Sequence, residues 1–130
     1  MSTQPKAGAV LFAKDVARLA AFYAQVLAVV PKHAEAEKVV IETDSFLLVI
    51  HAIPAAVAAK VEIASPPVLR EQVPVKLFLP VRSLAQARII AQGSGGAIKA
   101  VEFEWSAADF TACDGNDPEG NVVQFRQALQ

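Results

Sequence analysis

One pattern occurs twice in this chain, and it limits the folds available. Lys14-Asp15-Val16 and Arg82-Ser83-Leu84 each stand between a short apolar run and an amphipathic helix pattern, and β-rich runs follow both. In the first copy, residues 9–13 form the strand pattern and Asp15 is a candidate helix cap. From Val16, the residues Leu19, Ala20, Tyr23, Val26 and Leu27 share one helical face, with Pro31 as the stop. A polar segment at 32–38 precedes two β-rich runs, 39–43 and 46–53, turned at Asp44-Ser45. In the second copy, residues 74–81 form the strand, Ser83 is the cap, and Leu84, Ala87 and Ala91 share a face that ends at Gly93, Gly95 and Gly96. Runs at 101–105, 110–114 and 121–127 follow, with Asp117-Pro118-Glu119-Gly120 fitting a type I turn.

A unit of this kind covers one face of its sheet with its own helix. Two of them leave the opposite faces free to enclose a cleft, which points to a small-molecule pocket. The chain is therefore expected to be a single domain, 1–130. Module one spans about 8–53, a proline-bearing connector 54–73, and module two 74–128.

Composition narrows the function classes. With 54% hydrophobic and 19% charged residues in 130, the chain has enough apolar material for a core, and dominant disorder is excluded. Thirteen acidic against twelve basic residues give a net charge of −1, without the basic excess that neutralises a phosphate backbone, so no nucleic-acid partner is expected. Mean hydropathy is high at +0.38, yet no apolar run is long enough to cross a membrane. Surface hidden against a second copy, a homodimer, is the expectation. Cys113 has no second cysteine to pair with, and the start MSTQPKAG lacks a signal peptide's apolar core, so a cytoplasmic location is expected.

The stretches AVLFAKDVARLAAFYAQVL, with its Phe22-Tyr23 pair, and DPEGNVVQF resemble the vicinal oxygen chelate superfamily. That superfamily includes glyoxalase I, the bleomycin resistance proteins and the extradiol dioxygenases. The resemblance covers about residues 8–126. It implies an α+β fold of two tandem β-α-β-β-β modules, forming an open curved sheet cup with the helices on the outer face. In the family's enzymes a divalent metal is held by one side chain from each of four strands, normally His, Glu or Gln. Carried over by position, those places fall on Gly8, Leu48 or Val49, Lys76 and Gln124, with His51 further along. Glycine has no donor and an ammonium repels a cation, so at best two ligands remain and no metal cofactor is expected. His33 and His51 are the only histidines, too few at the strand positions for an iron triad of two histidines and a carboxylate.

With Gly8 and Lys76 on the cup side, alternation places Val10, Phe12, Phe78, Pro80, Val122, Gln124 and Arg126 there too. Lys76 is then either the positive end of a pocket, or an amine base if desolvated, or a lysine whose head reaches solvent at the rim. His51 is a candidate base or a hydrogen-bonded half-buried residue. Gln124 offers an amide to a ligand or to the backbone, and Arg126 a carboxylate site or a surface ion pair. Phe12, Phe78 and Trp105 stack on a ligand or pack. Glu102 and Glu104 share one strand face, as a general acid pair or as a solvated face, and Cys113 is expected to be a buried inert thiol. The candidate ligand-binding set is thus Phe12, His51, Lys76, Phe78, Trp105, Gln124 and Arg126, with catalytic residues unassigned.

Three functions stay open on these residues. The preferred one is a metal-free, dimeric holder of a small organic molecule, of the bleomycin resistance type. The alternative is a metal-dependent lyase, isomerase or dioxygenase of the same superfamily. The third is an interaction domain whose cup is filled by its own side chains.

Overall fold

The computed structural model describes residues 4–129. Strand β1 (Gly8–Ala13) leads into helix α1 (Val16–Leu27), followed by β2 (His33–Ala34), β3 (Lys38–Glu42) and β4 (Leu47–Ala52). A short helix α2 (Ala55–Ala58) opens the connector. Then come β5 (Leu77–Pro80), α3 (Leu84–Gly93), β6 (Ala97–Ile98), one turn of 3-10 helix (Val101–Phe103), β7 (Trp105–Ser106), β8 (Phe110–Asn116) and β9 (Val122–Ala128). These build an α+β fold with two open sheets, ordered β1-β4-β3-β2 and β5-β9-β8-β6, with β7 also bonded to β8. In both, the first strand runs parallel to the last, and the last is antiparallel to the one before it.

The helices begin where the sequence places them. Asp15 and Ser83 each accept a hydrogen bond from the backbone N–H three residues on, at 3.1 Å in both cases. Helix α1 ends earlier than Pro31 suggests. Ala28 adopts the left-handed conformation at φ 55°, and its N–H closes on the carbonyls of Ala24 and Gln25. Val30, the residue before the proline, is disfavoured in helical geometry, so the chain turns out before reaching it.

Two further expectations need correcting. The polar segment at 32–38 contains β2, which joins the edge of the first sheet through pairs with Val39 and Val40. Residues 101–105 are mostly a turn of 3-10 helix and not a strand. Arg88 sets that turn by binding both flanks, donating to the Lys99 carbonyl at 2.7 Å and the Glu104 carboxylate at 2.6 Å. Glu102 and Glu104 therefore do not share a strand face.

One core joins the two halves. Leu48 and Ile50 of the first sheet and Leu79, Val123 and Phe125 of the second are buried with Leu19, Phe22, Tyr23 and Leu84 of the helices. Phe22 lies off the helical face drawn from the sequence, yet it is fully buried, because α1 also meets the second half. A Cβ at Gly96 would stand 2.4 Å from its ring.

The turn between β8 and β9 ties the two halves together through polar contacts. Its Gly120 N–H donates to the Asp117 carbonyl at 3.0 Å, closing the expected turn. The buried Asp117 carboxylate then collects four donors. Oδ1 accepts from the N–H groups of Glu119 and Asn121, and Oδ2 from the Tyr23 hydroxyl at 2.7 Å and the Asn121 amide at 2.8 Å. Glu119 reaches the start of α1, where its two oxygens accept from the backbone N–H groups of Lys14 and Asp15 at 2.9 and 2.8 Å. A carboxylate there also complements the helix dipole.

Burial pushes the Asp117 carboxyl above its ordinary value of 3.8, although the bonds from Tyr23 and Asn121 pull the other way. Burial, and then the Asp117 charge, push the Tyr23 phenol up, so it remains a donor. An acid whose folded pKa is raised stabilises the fold fully below its unfolded value, and that contribution is lost as pH rises through the folded value. The Tyr23 bond counters this loss by favouring the ionised form. Tyr23→Phe should therefore cost about 1–3 kcal/mol in urea unfolding at pH 7, and less near pH 4. An equal cost at both pH values would show that Tyr23 does not serve the carboxylate.

Candidate functional site

The outward faces of the sheets, away from the helices, carry the predicted residues. Along β1, Val10 and Phe12 are exposed while Ala13 is buried, and along β5 Phe78 and Pro80 are exposed while Leu79 is buried. In β9, Val123 and Phe125 face the core, so Gln124 and Arg126 face outward.

Phe12 and His51 are direct partners across β1 and β4, with ring centroids 6.0 Å apart at 64°. His51 Nδ1 lies 2.8 Å from the Ala52 carbonyl. Only a protonated nitrogen bonds a carbonyl, which leaves the Nε2 lone pair available in the neutral ring. Lys76, Phe78, Gln124 and Arg126 gather on the second sheet, and Trp105 joins their face because it pairs with Ala112, which pairs with Arg126. The cavities lined by Lys76, Phe78 and Arg126 include neither Phe12 nor His51. The seven residues are thus divided between two sheets.

The second sheet holds the denser chemistry. Lys76 Nζ meets Asp114 Oδ2 at 2.9 Å, the lysine side chain exposed and the aspartate half-buried. Asp114 Oδ1 is buried and has no hydrogen-bond partner among the described residues. Arg126 Nε donates to Gln124 Oε1 at 2.7 Å. The Arg126 guanidinium carbon lies 3.7 Å from the centroid of the Phe78 ring and 4.2 Å from that of Phe110. Phe110 in turn meets Trp105 edge-on, with centroids 5.5 Å apart. Asp114 and Phe110 are additions to the predicted set. Counting outward from the Asp117 turn, which pairs Asn116 with Val122, places Asp114 opposite Gln124, so the signal was present.

Two cavities flank Lys76. One, of about 310 Å³, lies between connector residues such as Leu69 and Val73, with Val75 just beyond them, and the sheet residues Asp114 and Asn116. The other, of about 340 Å³, follows the edge of β5 and is lined by Phe46, Phe78, Pro80 and Arg126. Cys113 faces the core, its Sγ donating to the Lys99 carbonyl at 3.4 Å. Burial pushes its thiol pKa up, as for an unreactive cysteine.

The register resolves the metal positions that the family resemblance implies. Gln124 pairs with Phe78, two residues after Lys76, and Val10, two after Gly8, pairs with Val49. Val49 is therefore the matching place, and Leu48 faces the helices. Gly8, Val49, Lys76 and Gln124 do not fit a divalent ion. Valine has no donor, the lysine head is a cation, and the Gln124 oxygen already accepts from Arg126. Gly8 cannot simply be exchanged for a ligand, because a Cβ there would stand 2.1 Å from the Leu47 carbonyl oxygen. Among the described residues, no three His, Cys, Asp or Glu side chains stand close enough together to hold a metal ion.

No protein-family profile matches the chain, and no curated protein matches it. Solved structures do match. A glyoxalase/bleomycin resistance protein/dioxygenase family enzyme from Burkholderia phytofirmans PsJN superposes with a TM-score of 0.68 at 16% identity, covering 95% of this chain and 98% of that one. A glyoxalase/bleomycin resistance protein from Albidiferax ferrireducens T118 gives 0.64 at 15%, covering 93% and 96%. A variant of the fosfomycin resistance protein FosX from Listeria monocytogenes, complexed with Mn(II) and 1S,2S-dihydroxypropylphosphonic acid, gives 0.64 at 10%, covering 99% and 93%. The chain has the fold of the vicinal oxygen chelate superfamily.

The Lys76 and Asp114 pair is partly solvated, so its strength is modest. In a double-mutant cycle of Lys76→Met and Asp114→Asn, urea unfolding should give a coupling of about 0.5–1 kcal/mol. Zero coupling would mean that solvent screens the pair completely.

Proposed function

We propose that the protein holds a small organic molecule, without a metal, on the outward face of its second sheet, and that a second copy of the chain completes the cleft. The 310 Å³ cavity that Lys76 and Asp114 line together with the connector carries this reading. The connector supplies a fixed wall, since the Arg70 N–H donates to the Gly120 carbonyl at 2.8 Å.

The same reading explains the greasy edges. β1 and β5 each pair on one side only, and they expose Val10 at 51%, Phe12 at 60% and Phe78 at 59%. Apolar side chains on open edges favour a covering partner. With β1 of one copy beside β5 of the other, the partner's Phe12 and the partner's His51 face Lys76, Phe78 and Arg126, and the divided set is joined. The donor chemistry at Gly8, Val49, Lys76 and Gln124 supports a metal-free site. Sequestration of that molecule in the cytoplasm is the use we infer, by analogy of fold alone.

A thermal-shift screen of the intact protein against small molecules tests the cleft. A ligand at a hundred times its dissociation constant should stabilise the fold by about 2.7 kcal/mol, equally with and without EDTA. Stoichiometric divalent metal, with an activity that chelation abolishes, would establish the enzyme reading instead. A screen without any binder would favour an interaction domain. Sedimentation should show a dimer that Phe12→Glu converts to monomer with loss of ligand binding, and a wild-type monomer would overturn the shared cleft.

A further inference from the structure

The charges on the second sheet's outward face do not cancel. Lys76 is matched by Asp114, whereas Arg126 belongs to none of the ion pairs among the described residues. Its position is nevertheless fixed. Phe78 and Phe110 flank the guanidinium at 3.7 and 4.2 Å, and its Nε is committed to Gln124 Oε1 at 2.7 Å. What remains is the end of the fork, Nη1 and Nη2, two parallel donors with no partner among the described residues.

We propose that Arg126 is a receptor for the carboxylate of an aromatic acid, a subsite that rests on the small-molecule cleft proposed above. The fork matches the two oxygens of a carboxylate, and the rings remove water from both faces of the cation, which strengthens that bond. Gln124 prevents the guanidinium from rotating, so little side-chain entropy is lost on binding. The cavity of about 340 Å³ that Arg126 shares with Phe78 and Pro80 has room for a ring. Trp105, 47% exposed and two strands away on the same face, offers a further flat apolar surface.

Calorimetric titration of the full chain with benzoate, 2-naphthoate and their neutral amides tests the assignment. The carboxylates should bind at least about tenfold more tightly than the amides, as expected for a charge-assisted pair. Arg126→Gln should bring the ratio to about one. Arg126→Lys, which keeps the charge but not the fork, should restore it only in part. Gln124→Glu is a second variant that leaves the arginine in place and neutralises it, and it too should abolish the preference. Equal binding of acids and amides by the wild type, or an unchanged ratio in Arg126→Gln, overturns the receptor. Neutral molecules that bind while the acids do not would overturn it and leave the cleft standing. Failure of both sets, together with a blank thermal-shift screen, would remove the cleft as well.

Discussion

A single buried carboxylate organises the junction between the halves. Asp117 stays buried because four donors surround it, two of them its own turn's backbone N–H groups and one the hydroxyl of Tyr23 on the other half's helix. That arrangement fixes the turn, and the turn fixes what lies beyond it. Gly120 adopts φ +90°, and a Cβ there would stand 2.1 Å from the Val68 carbonyl oxygen, so only glycine lets the connector pass this close. The Gly120 carbonyl then holds the Arg70 N–H, and residues 69–75 come to lie against the second sheet. The wall of the 310 Å³ cavity thus depends on a carboxylate that does not line it.

The outward face of the second sheet carries two cations of its own, Lys76 and Arg126. A divalent ion gathers donors that would otherwise repel each other, and its charge is available to a ligand. Here the positive charges are covalently part of the chain. Lys76 is partly neutralised by Asp114, whereas the end of the Arg126 fork has no partner among the described residues. Gln124 lies between them, and its oxygen orients the arginine.

The fold was legible in the sequence to the extent that its signals were local. The helical faces, the two side-chain caps, the strand alternation and the Asp117 turn all depend on residues within one or two turns of each other. Phe22 was missed because its burial depends on Gly96, more than seventy positions away, and β2 because two residues carry no period. Residues 101–105 alternate like a strand, but Arg88 on α3 holds their flanks in a turn. In the site, the outward positions followed from alternation once the family resemblance had put Gly8 and Lys76 on that side. The Lys76 and Asp114 pair did not, since it requires β5 to lie beside β9, a neighbourhood that only the sheet order reveals.

Gly8 shows why the donor pattern is a property of the backbone as well as of the side chains. A surface position without a donor normally has room for one, and a single substitution supplies it. At Gly8 the Leu47 carbonyl oxygen occupies the place of a Cβ. Admitting histidine or glutamate would push β1 away from β4, across the pairs that run from Gly8 with Leu47 to Ala13 with Ala52. Those pairs carry Ala13, Leu48 and Ile50 into the core, so the displacement would be resisted by packing throughout the first half. Close approach of β1 and β4 therefore excludes a larger side chain at Gly8 unless the two strands separate.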